Sequence, residues 1–374
     1  MTTNKKKRLL FVCGSRGEWG YIRPIIKLCK KKKITYKLIT TNMVLLDEHG
    51  SLINEINKSY NVSDKIMMSL NGDTHETMTK SLGIYFTSFV DSINRIKPDW
   101  IVIAGDRGEQ FMSAIAGAYS YIPVAHIQAG ERSGNIDGVV RHAIAKISHI
   151  HFAANDDASR RLRNLGEERF RIFNVGAPQL DEIYNNQISY KYSKNKGNFF
   201  LVVFHPVTEE YNNNEKYINI ICKSLNTFKN KKVWILPNND AGNSIIKKKI
   251  VELRRSDIEI YENLTRSEYL GLLKKSELII GNSSSGLIEA PSFRVPCINI
   301  GRRQIDRVQS NNVINIQCNQ KEIAKAIKKA TSKNFRVKIK KSNPYGDGNS
   351  SSKILKILQT IKIDDKLLIK RNTF

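Results

Sequence analysis

Small polar residues between two glycines form the most distinctive chemical motif of the sequence, GNSSSGLIE at positions 281–289. Backbone amides at such a turn and the serine hydroxyls can hold phosphate oxygens, and Glu289 can accept hydrogen bonds from two sugar hydroxyls. A serine helix cap is the simpler alternative, but three consecutive serines exceed what capping needs. The motif therefore favours phosphate binding. It is not a P-loop, because the GK[ST] ending is absent.

A second motif, GDRGE at positions 105–109, combines a carboxylate with a guanidinium. Asp106 could be a general base whose pKa is set by its neighbours, and Arg107 could hold an anionic leaving group. The alternative is a helix-capping aspartate beside a surface arginine. The motif alone leaves both interpretations open.

The third motif, HIQAGERSGNIDGVVRH at positions 126–142, is more specific. Glu131 and Asp137 flank a glycine-rich bend, and Arg141 follows one helical turn after Asp137. A glycine-rich loop with several ionisable groups is a poor way to build a core, so we expect a site for acid-base chemistry here. His126, between apolar residues on a strand, is expected to be a hydrogen-bonded core histidine.

Further polar residues follow other apolar runs: His205 in VVFHP, Arg302 and Arg303, and Arg16 in GSRGE. The His205 imidazole is expected to enter a cleft as a phosphate or hydroxyl donor, with a core histidine as the rival interpretation. A solvated arginine pair is the rival for Arg302 and Arg303. Several such loops converge at strand ends. Together they favour a binding site more strongly than any one of them does alone.

Short apolar runs alternate with longer amphipathic segments through the whole chain, which is typical of buried parallel strands and crossover helices. The pattern restarts after a polar stretch rich in Asn and Lys at 184–198, which predicts a linker. We therefore predict an α/β protein with two Rossmann-like, doubly wound domains facing a cleft. The predicted boundaries are 1–183 for the domain with the acid-base groups, 199–351 for the nucleotide-binding domain, and 352–374 for a C-terminal helix and tail.

The predicted strands are 8–13, 36–40, 100–105, 124–128, 151–154 and 171–175 in the first half, and 199–204, 233–236, 258–261, 278–280, 297–300 and 313–316 in the second. In open α/β sheets, ligands bind beyond the carboxyl ends of the strands. The three motifs all follow predicted strands, so we expect them to meet at one cleft.

The chain of 374 residues is 40% apolar and 26% charged, with a formal net charge of +26. This charge suggests an anionic ligand. It also suggests a second kind of function, that of a nucleic-acid binding protein. The lysine runs contain no aromatic residues, so a solvated surface is favoured. Five widely spaced cysteines frame no metal site, and no apolar stretch is long enough for a membrane span. We expect a soluble cytoplasmic protein with reduced thiols, bound to neither nucleic acid nor membrane.

Taken together, GSRxE, GDR, HIxxGExSGxID followed by RHAI, FHPVTEE, PNxDAG, GNSSSGLIE and INIGxRQ resemble the motifs of the hydrolysing UDP-N-acetylglucosamine 2-epimerases of sialic and related nonulosonic acid synthesis. The resemblance covers residues 9–357. It implies the GT-B-like arrangement of two Rossmann domains, with the substrate in the interdomain cleft and a C-terminal helix that crosses back to the first domain.

The resemblance also implies roles for residues of both domains, with the nucleotide held by the second. Ser283, Ser284 and Gly286 would hold the diphosphate, and Glu289 the ribose hydroxyls. Arg16, His205 and Arg303 would bind charged oxygens, whereas Asn238, Asp240 and the loop around Leu264 would approach the ribose, sugar or base. Arg107, Gln128 and Arg141 complete the predicted substrate-binding set.

The family reaction begins when a carboxylate removes the proton at C2 while the nucleoside diphosphate leaves C1, which gives a glycal. Water then adds at C1 and a proton returns to C2 from the other face, so the product is a free N-acetylmannosamine-type sugar. The resemblance implies neither a metal nor another cofactor. The predicted catalytic set is Asp106, Asp137, Glu131 and His205.

Gln128 stands where several relatives have Glu, and an amide cannot transfer protons, so Glu131 is the nearest carboxylate for the third acid. Gln128 also leaves the substrate open between UDP-N-acetylglucosamine and a UDP- or GDP-linked 2,4-diacetamido sugar, the precursor type of legionaminic acid. A GT-B glycosyltransferase is the alternative function. It would share the nucleotide site, but acidic residues crowd the presumed sugar side. A homo-oligomer, dimer or tetramer, is expected.

Overall fold

Two parallel sheets organise the chain in the computed structural model, which describes residues 6–185, 198–253, 255–340 and 342–373. Most of the predicted linker, residues 186–197, lies outside the described residues. We call the part built on the first sheet, residues 6–185, the N-terminal lobe, and the part built on the second sheet, residues 198–340, the C-terminal lobe. The predicted α/β fold class is confirmed.

The first sheet has seven strands in the order β3-β2-β1-β4-β5-β6-β7. Its strands β1 to β7 are Leu9–Cys13, Tyr36–Thr41, Asp64–Ile66, Trp100–Ala104, Val124–Ala129, Ile150–Ala153 and Ile172–Asn174. Its helices α1 to α7 are Arg16–Lys31, Leu52–Ser59, His75–Ile96, Gly108–Tyr119, Ile136–Ile147, Asp156–Asn164 and Asp181–Tyr184. Every residue of β1, β4, β5 and β6 is buried, because helices cover both faces of the sheet.

The second sheet has six strands in the order β10-β9-β8-β11-β12-β13. Its strands β8 to β13 are Phe199–Val203, Lys231–Ile235, Ile258–Tyr261, Leu278–Gly281, Cys297–Ile300 and Val313–Ile316. Helices α8 to α13 are Asn214–Leu225, Asn243–Val251, Arg266–Lys275, Ser285–Ile288, Gln320–Thr331 and Lys333–Val337, and α14 and α15 follow as Ser350–Thr360 and Asp365–Leu368. In each sheet the strand order reverses at one point, between β1 and β4 or between β8 and β11, where α/β proteins bind ligands.

The C-terminal helix α14 packs on the N-terminal lobe. Its Ile354 and Leu358 lie in the same buried cluster as Trp19 and Ile22 of α1. The Asp181 carboxylate accepts hydrogen bonds from the first two amides of α14, at 3.0 and 2.6 Å. The chain therefore returns to the N-terminal lobe after the C-terminal lobe, so the chain connects the two lobes at both ends of the C-terminal lobe.

Sequence patterning missed one strand, β3, because a three-residue strand is too short to show a periodicity. The other twelve strands overlap the predicted runs within a few residues. In the part of the chain that the structure describes, no helix has the length and apolar character needed to span a bilayer.

Candidate active site

A cavity lies between the carboxyl edges of the two sheets and is lined from both lobes. Of the predicted site residues, the N-terminal lobe contributes Arg16, Asp106, Arg107, Asp137 and Arg141, and the C-terminal lobe contributes His205, Asn238, Leu264, Ser283, Ser284, Glu289 and Arg303. The structure thus brings together twelve of the sixteen predicted residues. Asp240 lines an adjoining pocket that shares Asp106, Arg107 and Asp137 with the main cavity.

The serine motif forms the turn between β11 and the short helix α11. Gly281 has φ +137°, and a Cβ there would lie 1.9 Å from the Val203 carbonyl oxygen, so the turn requires glycine. The Ser284 side chain makes no capping hydrogen bond, so it does not act as the serine helix cap of the alternative interpretation. Gly286 does not line the cavity. A Cβ at Gly286 would lie 2.3 Å from the Cys297 sulfur, so this glycine permits close packing.

Glu289 forms an ion pair with Arg266, whose Nη2 lies 2.6 Å from the Glu289 Oε1. Both side chains are about nine-tenths buried. Burial opposes ionisation of Arg266, but the carboxylates of Glu289 and Glu182 outweigh it and raise the pKa of the guanidinium. Sequence reasoning missed Arg266 because an arginine at the start of a capped helix looks like an ordinary surface residue.

His205 is held as a neutral imidazole. Burial and the positive charge of Arg303 lower its pKa well below the usual range. Its Nδ1 accepts the Asn238 backbone N–H at 3.1 Å, and its own backbone N–H donates to the Asn282 side chain at 2.7 Å. Because Nδ1 is an acceptor, the ring proton is on Nε2, which is available as a donor.

Arg16 reaches from the N-terminal lobe to the C-terminal lobe. Its guanidinium donates to the backbone oxygens of Leu236 and Glu262, both at 2.9 Å, and of Pro237 at 3.2 Å. Burial lowers its pKa to about 10. In this arrangement Arg16 binds carbonyl oxygens across the cleft, so its predicted role toward charged substrate oxygens stays a prediction.

Asp106 is paired with Arg141, whose Nη2 contacts the Asp106 Oδ2. Arg141 is buried, and its Nη1 also donates to the backbone oxygens of Glu131 and Arg132 at 3.2 and 3.3 Å. The arginine therefore connects Asp106 to the loop that follows β5. Burial and the positive charge of Arg307 lower the pKa of the Arg141 guanidinium.

Asp137 lies in the first turn of α5. Burial and the nearby Asp240 carboxylate raise its pKa. The Asn135 side chain donates to its Oδ2 at 2.8 Å, and the Arg303 Nη2 lies 3.9 Å from the same oxygen. Burial opposes ionisation of Asp240 too, but Arg107, at 2.8 Å, holds the Asp240 pKa below its usual range. The two neighbouring carboxyls thus have proton affinities shifted in opposite directions.

Gln128 and Glu131 do not line the cavity. Gln128 is buried with φ +62°, and its side-chain amide donates to Gln179 at 3.3 Å; Gln179 does line the cavity. Glu131 is buried in an ion pair with Arg307 of the C-terminal lobe at 3.1 Å. Arg307 lies in the same loop as Arg303, a predicted site residue. This short distance in sequence is the signal that could have identified Arg307 as a further candidate.

The cavity is lined by buried polar groups from both lobes, by the serine turn and by two carboxylates, and this combination fits a nucleotide-sugar site. The family model of UDP-N-acetylglucosamine 2-epimerase matches residues 26–359. The chain belongs to this family. The predicted family is therefore confirmed, and membership favours the epimerase over the glycosyltransferase alternative.

Three relatives of this 2-epimerase family member have informative names. The UDP-N,N'-diacetylbacillosamine 2-epimerase (hydrolyzing) of Legionella pneumophila is 34% identical over 98% of this chain and 100% of its own. The GDP/UDP-N,N'-diacetylbacillosamine 2-epimerase (hydrolyzing) of Campylobacter jejuni is 33% identical over 88% of this chain and 89% of its own. The Methanocaldococcus jannaschii UDP-GlcNAc 2-epimerase, solved with UDP-GlcNAc and UDP, is 25% identical, with TM-score 0.80 over 94% of this chain and 99% of that one.

In the described residues, no group of three or more His, Cys, Asp or Glu side chains could hold a metal ion. The predicted homo-oligomer, the cytoplasmic location, the domain boundaries and the roles of single residues stay predictions.

Proposed function

We propose that this 2-epimerase is a hydrolysing enzyme that converts a UDP- or GDP-linked 2,4-diacetamido sugar to the free 2-epimer and nucleoside diphosphate. The observation that carries the proposal is the pair of carboxylates, Asp106 and Asp137, which line the same cavity as the serine turn. The diacetamido substrate is supported by two relatives at 34% and 33% identity, both named for diacetylbacillosamine. UDP-N-acetylglucosamine is the second candidate, since a relative from Neisseria meningitidis named for it is 32% identical.

The nucleotide end of the cleft would bind the leaving group. Ser283 and Ser284 offer hydroxyls, His205 offers its Nε2–H, and Arg303 offers a guanidinium to the diphosphate oxygens. Charged donors of this kind stabilise the negative charge that develops as the C1–O bond breaks. Glu289, oriented by Arg266, would accept the ribose hydroxyls.

The carboxylate end would carry the proton transfers. Burial and the Asp240 carboxylate raise the pKa of Asp137, so its carboxylate is a stronger base than an ordinary aspartate. We assign to it removal of the C2 proton, as the C1–O bond breaks and a C1–C2 double bond forms. Water then adds at C1 and a proton returns to C2 from the other face, so the summed reaction is hydrolysis with inversion at C2. Asp106, paired with Arg141, is the second carboxylate beside the sugar.

Product analysis in heavy water tests this proposal. The purified protein is incubated with UDP-N-acetylglucosamine, and separately with UDP- and GDP-linked 2,4-diacetamido-2,4,6-trideoxyglucose. The product should be the free 2-epimer with one deuterium at C2, formed fastest from a diacetamido substrate. An unlabelled C2 would refute the elimination step, whereas transfer of the sugar to an acceptor would restore the glycosyltransferase.

Gln128→Glu is the finer test of sugar choice. Improved turnover of UDP-N-acetylglucosamine, with loss on the diacetamido substrate, would mean that Gln128 acts on sugar selection through Gln179. Loss on every substrate would show instead that the buried amide pair only maintains the site.

A further inference from the structure

Two loops from opposite lobes meet beside the catalytic carboxylates. We call this contact the seam; it consists of residues 131–135, after β5, and residues 302–307, after β12. The Gly134 N–H donates to the Arg303 backbone oxygen at 3.1 Å, and the Arg302 Nε donates to the Gly134 oxygen at 2.9 Å. The Ser133 hydroxyl lies 3.2 Å from the same Arg303 oxygen. The seam is therefore a two-way hydrogen-bonded contact between the lobes.

The seam contains a buried ion pair. The Arg307 Nη2 lies 3.1 Å from the Glu131 Oε2, and the two side chains are 4% and 3% exposed. The Arg307 Nε donates to the Arg132 backbone oxygen at 3.1 Å, while Asn155 donates to the other Glu131 oxygen at 3.2 Å. A buried pair keeps both charges only when both partners are in place.

The loop of residues 131–135 contacts the hydrogen-bond partners of both predicted catalytic carboxylates. Arg141, which pairs with Asp106, donates to the backbone oxygen of Glu131, so a shift of this loop moves the partner of Asp106. Asn135, at the other end of the loop, donates to Asp137. Arg303 approaches Asp137 from the opposite lobe. Each carboxylate is thus oriented by a group that the seam fixes.

We propose that Glu131 and Arg307 are positioning residues whose ion pair across the seam aligns Asp106 and Asp137 when the lobes are closed. The inference rests on the proposed function for the identity of the reaction. It departs from the sequence-based expectation that Glu131 transfers protons. Glu131 does not line the cavity, whereas Arg307 does. The Glu131 Oε2 lies 3.1 Å from Arg307, and its Oε1 accepts a hydrogen bond from Asn155. A small change in KM in Arg307→Gln is therefore the result that separates positioning from direct contact with the substrate.

A double-mutant cycle distinguishes positioning from proton transfer. Glu131→Gln and Arg307→Gln should each lower kcat about 10- to 100-fold, the range expected when catalytic groups are displaced by about 1 Å, with KM changed less than about threefold. The double variant should be no slower than the slower single one, because two amides can hydrogen bond to each other and leave no buried charge. Losses that multiply would overturn the proposal. So would a loss confined to Glu131→Gln, which would mark a proton-transfer group.

A steric wedge tests the seam without touching the ion pair. A Cβ at Gly134 would lie 1.8 Å from the Arg302 backbone oxygen and 2.6 Å from the Ile305 Cγ2, both in the opposite lobe. Gly134→Ala should therefore lower kcat about 10- to 100-fold while each lobe stays folded. Gly83→Ala is the matched control, because a Cβ at Gly83 meets nothing within 4 Å. Unchanged kcat in Gly134→Ala would contradict the proposal.

Hydrogen exchange separates failure of this proposal from failure of the proposed function. In Arg307→Gln and Gly134→Ala, amides 131–135 should exchange at least about tenfold faster than in the wild type, since the bond from Gly134 to Arg303 is weakened. Amides of the β1 strand should be unchanged and report an intact fold. If the wild type turns over no nucleotide sugar, the proposed function fails, yet exchange still reports on the seam. Unchanged exchange in both variants would refute the coupling across it.

Discussion

Asp73 offers a direct test of whether closure of the lobes contributes to nucleotide binding. It precedes α3 in the N-terminal lobe, but its carboxylate accepts backbone hydrogen bonds from Gly242 and Ser244 at 2.8 and 3.0 Å. The Asn243 side chain also donates to it at 3.0 Å. These donors surround the start of α9 in the C-terminal lobe, so Asp73 caps a helix of the opposite lobe. We therefore expect Asp73→Ala to favour opening of the cleft.

The magnitude follows from the energy of a helix cap. Removing a capping side chain costs about 0.5–2 kcal/mol, and we take about 1 kcal/mol because Asp73 is partly exposed. The bonds lost join two lobes, so the cost falls on the closed state and not on the folding of either lobe. If nucleotide binds the closed state and the free protein is mainly open, the apparent dissociation constant for nucleotide rises roughly fivefold, the factor that corresponds to about 1 kcal/mol.

Calorimetric titration with UDP and GDP measures this change. Asn319→Ala is the matched control, because Asn319 caps α12 with bonds of 2.9 and 3.3 Å to amides of its own lobe. The control should lower the thermal midpoint and leave nucleotide affinity unchanged. Asp73→Ala should weaken nucleotide affinity and leave the thermal midpoint unchanged. Equal affinities in Asp73→Ala and the wild type would refute the link between this contact and binding.

The remaining predictions concern the site and the core. Ser284→Ala or Arg303→Ala should weaken nucleoside diphosphate binding by about 1.5–3 kcal/mol; calorimetry showing unchanged affinity in both would remove the phosphate assignment. Asp106→Asn and Asp137→Asn should retain nucleotide affinity yet lower kcat by two to four powers of ten, and near-normal turnover would exclude them as proton-transfer groups. His126, whose pKa burial lowers to about 3, is protonated only in the unfolded chain between about pH 3 and 6.5, so stability is lost as pH falls through 6.5. Denaturant titrations of His126→Gln should therefore show a shallower loss of stability from pH 7 to 5 than the wild type, and equal slopes would contradict this.

The sequence by itself determined the architecture of both lobes and twelve of the residues that line the cleft. Apolar runs such as 100–105 and 278–280 encode buried strands locally, since parallel strands covered on both faces need continuous apolar residues. Parallel strands also present their carboxyl ends at one edge, so the motifs after them had to converge. Asp106, Asp137 and Ser284, which follow three different strands, accordingly line one cavity.

Only the tertiary structure decided which charges are partners. Glu289 pairs with Arg266 and Glu131 pairs with Arg307. The second pair joins loops from different lobes, separated by more than 170 positions in the chain. Local sequence patterns cannot predict contacts between residues so far apart in the chain, because these contacts depend on how the surfaces of the two lobes pack. The sequence could therefore supply Glu131 as a carboxylate near the site, but its burial against Arg307 exists only once the two lobes have closed.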